Sequence, residues 1–266
     1  MYRLRVWLSS GLLWAQGQVT LPAPVSLFAV DALHHMYVWS EPERALYKVW
    51  APRYDSLTRI GGAPGEEGFL SVTSIAPIGN QQLYVLDAGG QKITLLGTNL
   101  QRLQQLLYSQ LPPEVAQGYP VLLTVGSGGE LYLFLRETQE VVKIDFFGRV
   151  LLRFGGKLFG PGRIIGGAAL YAEADQLFIT DTVQRQILVY DSWGNFLKGV
   201  AFPEGMDRGA GFAAGTVFYR DTVGWWYSRE GQELPLRFPT APQAVWVREQ
   251  RLYWAAGRVV GWLPLP

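Results

Sequence analysis

A short sequence pattern recurs six times along the 266-residue chain, and it limits the fold more than any other feature. In each copy a polar gap precedes an apolar–aromatic pair, which begins a short apolar run typical of a β-strand. Another apolar run precedes each copy, a third follows it, and in most copies a fourth comes after a Gly turn. The pairs begin at Met36, Leu83, Leu131, Leu177, Val217 and Leu252.

A period near 40 residues, made of four short strands, is typical of a β-propeller. One four-stranded sheet cannot bury both of its faces alone, so each copy needs a neighbour on either side. The sequence therefore predicts an all-β fold, a six-bladed β-propeller of four-stranded antiparallel blades. Residues 100–117 look helical, but Pro112 and Pro113 interrupt them, and we expect an outer strand running into a loop.

The two ends of the chain are expected to meet in one blade. The last copy offers three strands before Pro266, which would leave an unpaired sheet edge. Residues 18–21, QVTL, suit a short strand that Pro22 and Pro24 would end. We expect residues 18–21 to pair with residues 258–263 as the outermost strand of the sixth blade, so that the N-terminal strand closes the ring.

Three copies resemble NHL-type repeats, which have a strand ending in Asp, a polar turn, a second strand, and then Gly and an outer strand. They read LYVLDAGGQKITLLGTNLQ (83–101), LYLFLRETQEVVKIDFFGRVLLRFGG (131–156) and LFITDTVQRQILVYDSWGNFLKG (177–199). The other three copies are degenerate. The resemblance implies the propeller architecture, and it leaves the activity open because this fold hosts binding modules, lyases and hydrolases.

The N-terminus carries the pattern of a secretory signal peptide. Arg3 and Arg5 precede the apolar run Val6–Trp14, and the small residues of A-Q-G follow it. The run is too short to cross a bilayer, which needs about 20 residues, and no other segment could cross one. We therefore expect residues 1–17 to be removed, and residues 18–266 to form a single propeller domain in the periplasm or outside the cell. The alternative is that the apolar run is an ordinary first β-strand that Arg3 and Arg5 precede by chance.

Charge and composition exclude several classes of partner. The formal net charge is +1, and no run of Lys or Arg stands out, so a nucleic-acid partner has no electrostatic support. The chain has no cysteine, which removes disulfides, thiolate catalysis and thiolate metal sites. We expect a monomer without a cofactor, whose partner is a protein or a small ligand.

Three aspartates, Asp87, Asp181 and Asp221, occupy the same place in three copies, at or near the end of a strand. A repeated carboxylate could indicate a central metal or acid–base chemistry. An Asp that ends a strand before a turn is also well placed to accept backbone N–H groups. Because these carboxylates recur with the fold, we predict that they fix blade turns.

His34 and His35 are the only histidines. Adjacent strand residues point to opposite faces, so these two cannot easily share a metal. The NHL resemblance points to two groups of metal-dependent enzymes. Amidating lyases hold zinc with histidines from several blades, and calcium-dependent lactonases bring Glu, Asn and Asp together at the central channel. This chain has too few histidines for the first and no recognisable ligand set for the second. No nucleophile elbow accompanies either histidine, so the sequence predicts no catalytic and no metal residue.

Two further segments were candidates for a ligand site. Residues 154–167, FGGKLFGPGRIIGG, lack the spacing of a phosphate-binding loop, and we expect a linker between blades. The adjacent Trp225 and Trp226 could form an exposed platform, or they could fill the wedge between blades.

The favoured function is a non-catalytic scaffold that recognises a partner through loops on one propeller face. Residues 51–68 and 108–120 are the candidate loops. The candidate binding residues are His34, His35, Trp225 and Trp226. The alternative is a propeller hydrolase or lyase with a central-channel site of unfamiliar residues.

Overall fold

The computed structural model describes residues 6–9, 16–62, 68–79, 81–202, 208–213, 216–220, 225–229, 232–236, 242–249 and 251–264. The regular structure within them is almost entirely β-strand. The exceptions are a 3-10 turn at Tyr108–Gln110 and a five-residue α-helix, α1, at Pro113–Gln117. The prediction of an all-β fold is confirmed.

The strands form antiparallel sheets, five of which consist of four strands that are consecutive in the chain. The N-terminal strands are β1 (Val6–Ser9) and β2 (Gln16–Thr20). The first blade consists of β3 (Leu27–Val30), β4 (Met36–Ser40), β5 (Ala45–Val49) and β6 (Leu57–Gly61). The second consists of β7 (Val72–Ile78), β8 (Gln82–Asp87), β9 (Lys92–Leu96) and β10 (Arg102–Leu107). The third consists of β11 (Pro120–Val125), β12 (Leu131–Leu135), β13 (Glu140–Ile144) and β14 (Val150–Gly155).

The later sheets follow the same plan. The fourth blade consists of β15 (Gly167–Glu173), β16 (Gln176–Asp181), β17 (Gln186–Asp191) and β18 (Phe196–Ala201). The fifth consists of β19 (Arg208–Ala213), β20 (Thr216–Arg220), β21 (Trp225–Arg229) and β22 (Gln232–Leu236). The last strands are β23 (Ala244–Arg248), β24 (Arg251–Ala256) and β25 (Val259–Pro264).

The structure is a β-propeller with four-stranded antiparallel blades, but it has five such blades, not the six predicted. The sixth sequence copy supplies only three strands, β23 to β25. These join β1 and β2 in a five-stranded sheet of order β1-β2-β25-β24-β23. The difference arises because two N-terminal strands, and not one, add to the last copy.

The repeat position marks the second strand of every sheet. Each of the six apolar–aromatic pairs lies in β4, β8, β12, β16, β20 or β24. Every residue of β4 and of β12 is buried, which means that both faces of these strands are covered. Strands covered on both faces read as continuous apolar runs without alternation, and this explains why the repeat was visible in the sequence.

The predicted pairing of the two chain ends is confirmed. β2 pairs antiparallel with β25, with Val19 opposite Val260 and Gln18 opposite Gly261. Val19 and Leu21 pack with Tyr253 and Val260 in one apolar cluster. β2 is not the outermost strand, however, because β1 pairs with its other edge.

The chain divides into two compact units. The first consists of Met1–Gly90, Thr94–Gln104 and Phe238–Pro266, and the second consists of Gln91–Ile93 and Gln105–Arg237. Each unit has its own apolar clusters. In the first, Tyr37 and Trp39 pack with Leu83 and Val85. In the second, Tyr132 and Phe134 pack with Ile179 and Tyr190.

Residues 100–117 follow the prediction only in part. Their first half is the outer strand β10, as expected. The second half is not a plain loop, because it contains the 3-10 turn and α1. Pro113 is compatible with this helix since it occupies the first turn, where a backbone N–H has no helical partner. No helix among the described residues is long and apolar enough to cross a membrane.

Candidate active site

Asp87 lies at the end of β8, and its buried carboxylate accepts three backbone N–H groups. The donors are Leu70 at 3.0 Å, Ser71 at 2.8 Å and Gly90 at 2.9 Å. Gly90 belongs to the turn after β8, whereas Leu70 and Ser71 precede β7. The carboxylate therefore ties the turn to the entry of its own blade.

Asp181 repeats this arrangement at the end of β16. It accepts the N–H of Ile165 at 2.7 Å, and the backbone N–H and side-chain amide of Gln184 at 2.8 and 2.7 Å. Burial alone would raise the pKa of Asp181, but these hydrogen bonds hold it below its ordinary value. Asp221, the third member of the set, lies outside the described residues.

Replacing Asp87 or Asp181 with alanine is expected to lower the free energy of unfolding by about 0.5–2 kcal/mol, as for lost caps and turn bonds. Asp55 is an exposed carboxylate in a loop, so Asp55→Ala serves as the control, with an expected change below about 0.5 kcal/mol. Urea unfolding of the three variants checks this. Equal stability of all three would contradict a turn-fixing role.

The two histidines contact different residues. His35 is buried, and its Nδ1 lies 3.2 Å from both oxygens of Asp31. His34 has Nδ1 2.7 Å from the Tyr253 hydroxyl and Nε2 3.5 Å from Glu249. The structure therefore does not bring the two rings to one metal. Within the described part of the chain, no three His, Asp or Glu side chains are grouped as metal ligands.

Lys48 is a buried ammonium that the sequence reasoning missed. Its Nζ donates to the Thr98 carbonyl at 2.8 Å and lies 3.9 Å from the centre of the Trp50 ring. Burial lowers the pKa of Lys48 to about 8, although Asp31 acts in the opposite direction. The side chain is fully covered, so it has no access to a substrate. A charged residue within the apolar run ALYKVW was the only available signal.

The remaining predicted binding elements are placed only in part. Trp225 and Trp226 lie in β21, and their side chains are outside the description. The first candidate loop, 51–68, contains β6, and its residues 63–67 are outside the described ranges. The second, 108–120, is folded, and the Tyr108 hydroxyl donates to the Pro120 carbonyl at 2.6 Å. Their role as binding elements stays a prediction.

A cleft of about 240 Å³ lies between the third and fourth blades. Three segments form its walls: the turn between β11 and β12, the turn between β15 and β16, and the turn after β17. Its chemistry-bearing lining residues are Ser127, Glu130, Tyr132, Lys143, Asp175 and Trp193. No sequence pattern indicated this group, because its members are scattered polar residues of two different copies.

An ion pair forms the floor of the cleft. Lys143 Nζ lies 2.6 Å from Glu130 Oε1, and both side chains are largely covered. The strand register explains the position, since Lys143 on β13 is directly opposite Tyr132 on β12. Lys143 Nζ lies 5.3 Å from the centre of the Tyr132 ring. A cation, a carboxylate and a phenol thus converge on one small volume.

The protonation states follow from these contacts. Burial alone would lower the pKa of Lys143, but the Glu130 carboxylate and the Tyr132 hydroxyl hold it above its ordinary value. Burial would likewise raise the pKa of Glu130, whereas Lys143 holds it below. Burial raises the pKa of Tyr132, against the effect of Lys143. At neutral pH the cleft therefore presents an ammonium and a protonated phenol.

The mouth of the cleft carries a carboxylate and an exposed indole. Ser127 Oγ donates to Asp175 Oδ1 at 3.2 Å, which links the two blades. The Trp193 side chain is 78% exposed. Its turn is fixed by Asp191, whose carboxylate accepts the N–H groups of Trp193 and Asn195 at 2.9 and 2.8 Å. The exposed Trp193 indole therefore lies on a turn whose backbone is held in place.

This arrangement has the parts needed for base-assisted bond cleavage: a carboxylate at the mouth and an ammonium inside. The Tyr132 hydroxyl lies beside them and donates to the Ser192 carbonyl at 3.3 Å. The arrangement does not fit a divalent metal. Only two carboxylates line the cleft, and the Lys143 ammonium already neutralises Glu130. Hard cations prefer sites with more oxygen ligands and without an adjacent cation.

No protein-family model matches the sequence, and comparison with curated proteins gives no match. Solved structures do match. Virginiamycin B lyase from Staphylococcus aureus has a TM-score of 0.61 and 13% identity, over 100% of this chain and 95% of the lyase. A gluconolactonase from Xanthomonas campestris has a TM-score of 0.68 and 15% identity, over 100% of this chain and 96% of that enzyme.

A third neighbour is the extracellular domain of a hybrid two-component system from B. thetaiotaomicron, with a TM-score of 0.56 and 10% identity, over 90% of this chain and 33% of that chain. At these identities the likeness shows the propeller fold alone. The two neighbours matched along almost their whole length are nevertheless enzymes. They contradict our prediction of a non-catalytic scaffold and favour its alternative, a catalytic propeller.

Proposed function

We propose that the chain is an enzyme that opens the ester bond of a small lactone in the cleft between the third and fourth blades. The observation that carries the proposal is the convergence of Lys143, Glu130 and Tyr132 in a covered cleft with Asp175 at its mouth. The gluconolactonase and lyase activities of the structural neighbours support a bond-cleaving reaction of this class.

Each residue has a role in this proposal. The Asp175 carboxylate is the general base, which takes a proton from the attacking water. The Lys143 ammonium stabilises the negative charge that develops on the carbonyl oxygen, and the Tyr132 hydroxyl does so when it turns from the Ser192 carbonyl. Glu130 positions Lys143 through their 2.6 Å contact. Water adds to the acyl carbon, the ring C–O bond breaks, and the ring oxygen leaves with a proton.

The test is lactone hydrolysis followed by pH-stat titration. Asp175→Asn is expected to lower kcat by about 10²–10⁴-fold, the usual contribution of a general base. Lys143→Met is expected to lower kcat by about 10²–10³-fold, as when one oxyanion donor is removed. Tyr132→Phe keeps the ring but also removes the hydrogen bond to the Ser192 carbonyl, so urea unfolding of this variant is measured beside its kinetics to separate lost catalysis from lost stability.

Matched controls are available on the surface. Lys198→Met and Asp55→Asn change the same residue types at exposed positions that do not line the cleft, and their kinetics should equal those of the wild type. The proposal is wrong if no lactone is turned over, or if Asp175→Asn and Tyr132→Phe both retain full activity. An unsaturated product without uptake of solvent oxygen would indicate elimination in place of hydrolysis.

The finer classification is also a proposal. We assign the five-stranded sheet the place of a sixth, NHL-like blade, because its strands β23 to β25 carry the sixth copy of the repeat. We also propose a monomer that is exported to the periplasm or beyond.

Export predicts removal of the first 17 residues in the native host. The support is the Arg3 and Arg5 pair before the apolar run and the A-Q-G site. The structure places Val6–Ser9 in β1, paired with β2, so cleavage would remove that edge strand. Intact-mass measurement decides between the two forms, and a full-length mass would contradict cleavage.

A further inference from the structure

Two consecutive apolar side chains are almost fully exposed. Leu158 is 84% and Phe159 is 95% exposed, in the loop that connects β14 and β15. Single exposed apolar residues are common, and two consecutive ones in one loop form a small apolar patch. The loop is held from within, since Ile164 at its end is fully buried and the Arg163 carbonyl accepts the Gln184 amide at 2.8 Å.

This loop and the Trp193 turn pack on the same aromatic cluster. Phe154, Tyr190 and Phe196 form that cluster, with ring centres 4.9 Å apart for Phe154 and Tyr190 and 5.8 Å for Tyr190 and Phe196.

Two glycines bring the backbones close. A Cβ at Gly162, in the loop, would lie 2.7 Å from Phe196, and a Cβ at Gly194, in the Trp193 turn, would lie 2.7 Å from Phe154. The Tyr190 hydroxyl also donates to the Gly162 carbonyl. The exposed Leu158, Phe159 and Trp193 side chains therefore rise from adjoining segments, and we call these three residues the apolar rim.

The size of the cleft requires part of a larger substrate to lie outside it. Pockets that enclose a drug-sized ligand have about 300–1,000 Å³, whereas this cleft has about 240 Å³. It has room for a lactone ring and little more. Trp193 both lines the cleft and belongs to the apolar rim, so this residue joins the two.

From this continuity we propose that the natural substrate is an amphipathic lactone, whose ring enters the cleft and whose alkyl or acyl chain lies on the apolar rim. The inference rests on the proposed lactone-opening function. In this arrangement the polar ring meets Lys143 and Asp175, and the chain meets the three apolar side chains of the rim. The Arg163 guanidinium lies 5.7 Å from the centre of the Phe159 ring.

The experiment uses a series of lactones that share one ring and carry alkyl chains from methyl to octyl. In the wild type, kcat/KM is expected to rise about two- to fourfold for each added CH₂, the upper value corresponding to full burial. The variant Leu158→Ser/Phe159→Ser should lose this dependence and keep the wild-type kinetics with the methyl lactone. Leu103→Ser, at an exposed apolar position of β10, is the control and should keep the dependence.

The outcomes separate the two proposals. Turnover of the methyl lactone without a chain-length dependence, or with one that survives the double substitution, overturns the amphipathic substrate alone. If no lactone is turned over, calorimetry measures the binding of the corresponding alkyl lactams and decides whether the apolar rim holds an alkyl chain. Binding that tightens with chain length in the wild type and not in the double variant supports the rim, and flat binding overturns it. A membrane contact is the other outcome. If the wild type sediments with phospholipid vesicles, the Leu158→Ser/Phe159→Ser variant does not, and kcat/KM is independent of chain length, the amphipathic substrate is overturned.

Discussion

Replacing Val19 and Leu21 with alanine is expected to lower the free energy of unfolding by about 4–6 kcal/mol, on the scale of large-to-small core substitutions. Val19 is 0% and Leu21 is 2% exposed, and both pack against Tyr253 and Val260 in the five-stranded sheet. Their removal leaves a cavity where the first strands of the chain meet the last. Urea unfolding or calorimetry measures the loss.

The same strand supplies the control. Gln18→Ala/Thr20→Ala changes the alternate positions, which are not buried, and should cost less than about 1 kcal/mol. Because both double variants keep the backbone pairing of β2 with β25, the difference between them isolates the packing of the inward face. Similar stability of the two variants would show that β2 contributes little to the sheet.

Asp31→Ala is the second substitution with a large expected effect, about 3 kcal/mol of unfolding free energy. The Asp31 carboxylate is fully buried and accepts the Tyr37 hydroxyl at 2.9 Å and the N–H groups of Leu33 and His35, both at 2.9 Å. Its loss leaves several donors without an acceptor, at about 1–3 kcal/mol for each buried group. Asp145→Ala is the control, since Asp145 makes similar bonds to Phe147 and Arg149 at an exposed turn, and a much smaller change is expected.

The pH dependence of Asp31 has a definite sign. Burial alone would raise its pKa, but the hydrogen bonds from His35 and Tyr37 hold the pKa of Asp31 below its ordinary value. A carboxyl group with a depressed pKa in the folded state contributes stability above its unfolded pKa and loses it as pH falls through the folded value. The wild type should therefore lose more stability than Asp31→Ala between neutral pH and pH 3. Parallel pH profiles would contradict the assignment.

The architecture could be predicted because its determinants are local. In the sheets whose side chains are described, the second strand is almost entirely buried on both faces, so it reads as an apolar run and repeats visibly. Asp87 and Asp181 were recognisable for a similar reason: each fixes a turn three residues away. The count of four-stranded blades was wrong because β1 lies in a segment whose basic start and short apolar run also fit an export signal.

The cleft could not be predicted, because its residues meet only after two blades have packed together. Lys143 and Glu130 come from one sequence copy, whereas Asp175 and Trp193 come from the next. No spacing rule links a carboxylate of one sheet to an ammonium of its neighbour. The contact of His34 with Tyr253, 219 residues away, was hidden in the same way. The preference for a scaffold followed from the absence of familiar motifs, which is weak evidence in a fold that places its chemistry on variable turns.

The pairing of β2 with β25 also sets an order of events during synthesis. Val19 and its partner Val260 are 241 positions apart in the chain (260 − 19). At about 5–20 residues per second, roughly 12–50 s separate the synthesis of these two residues. Throughout that interval β2 has an unpaired edge and uncovered apolar side chains, so chaperones or a translocation apparatus can bind it. Completion of the five-stranded sheet is therefore among the last steps of biogenesis, and a chain truncated before residue 259 would present β2 as a permanent aggregation site.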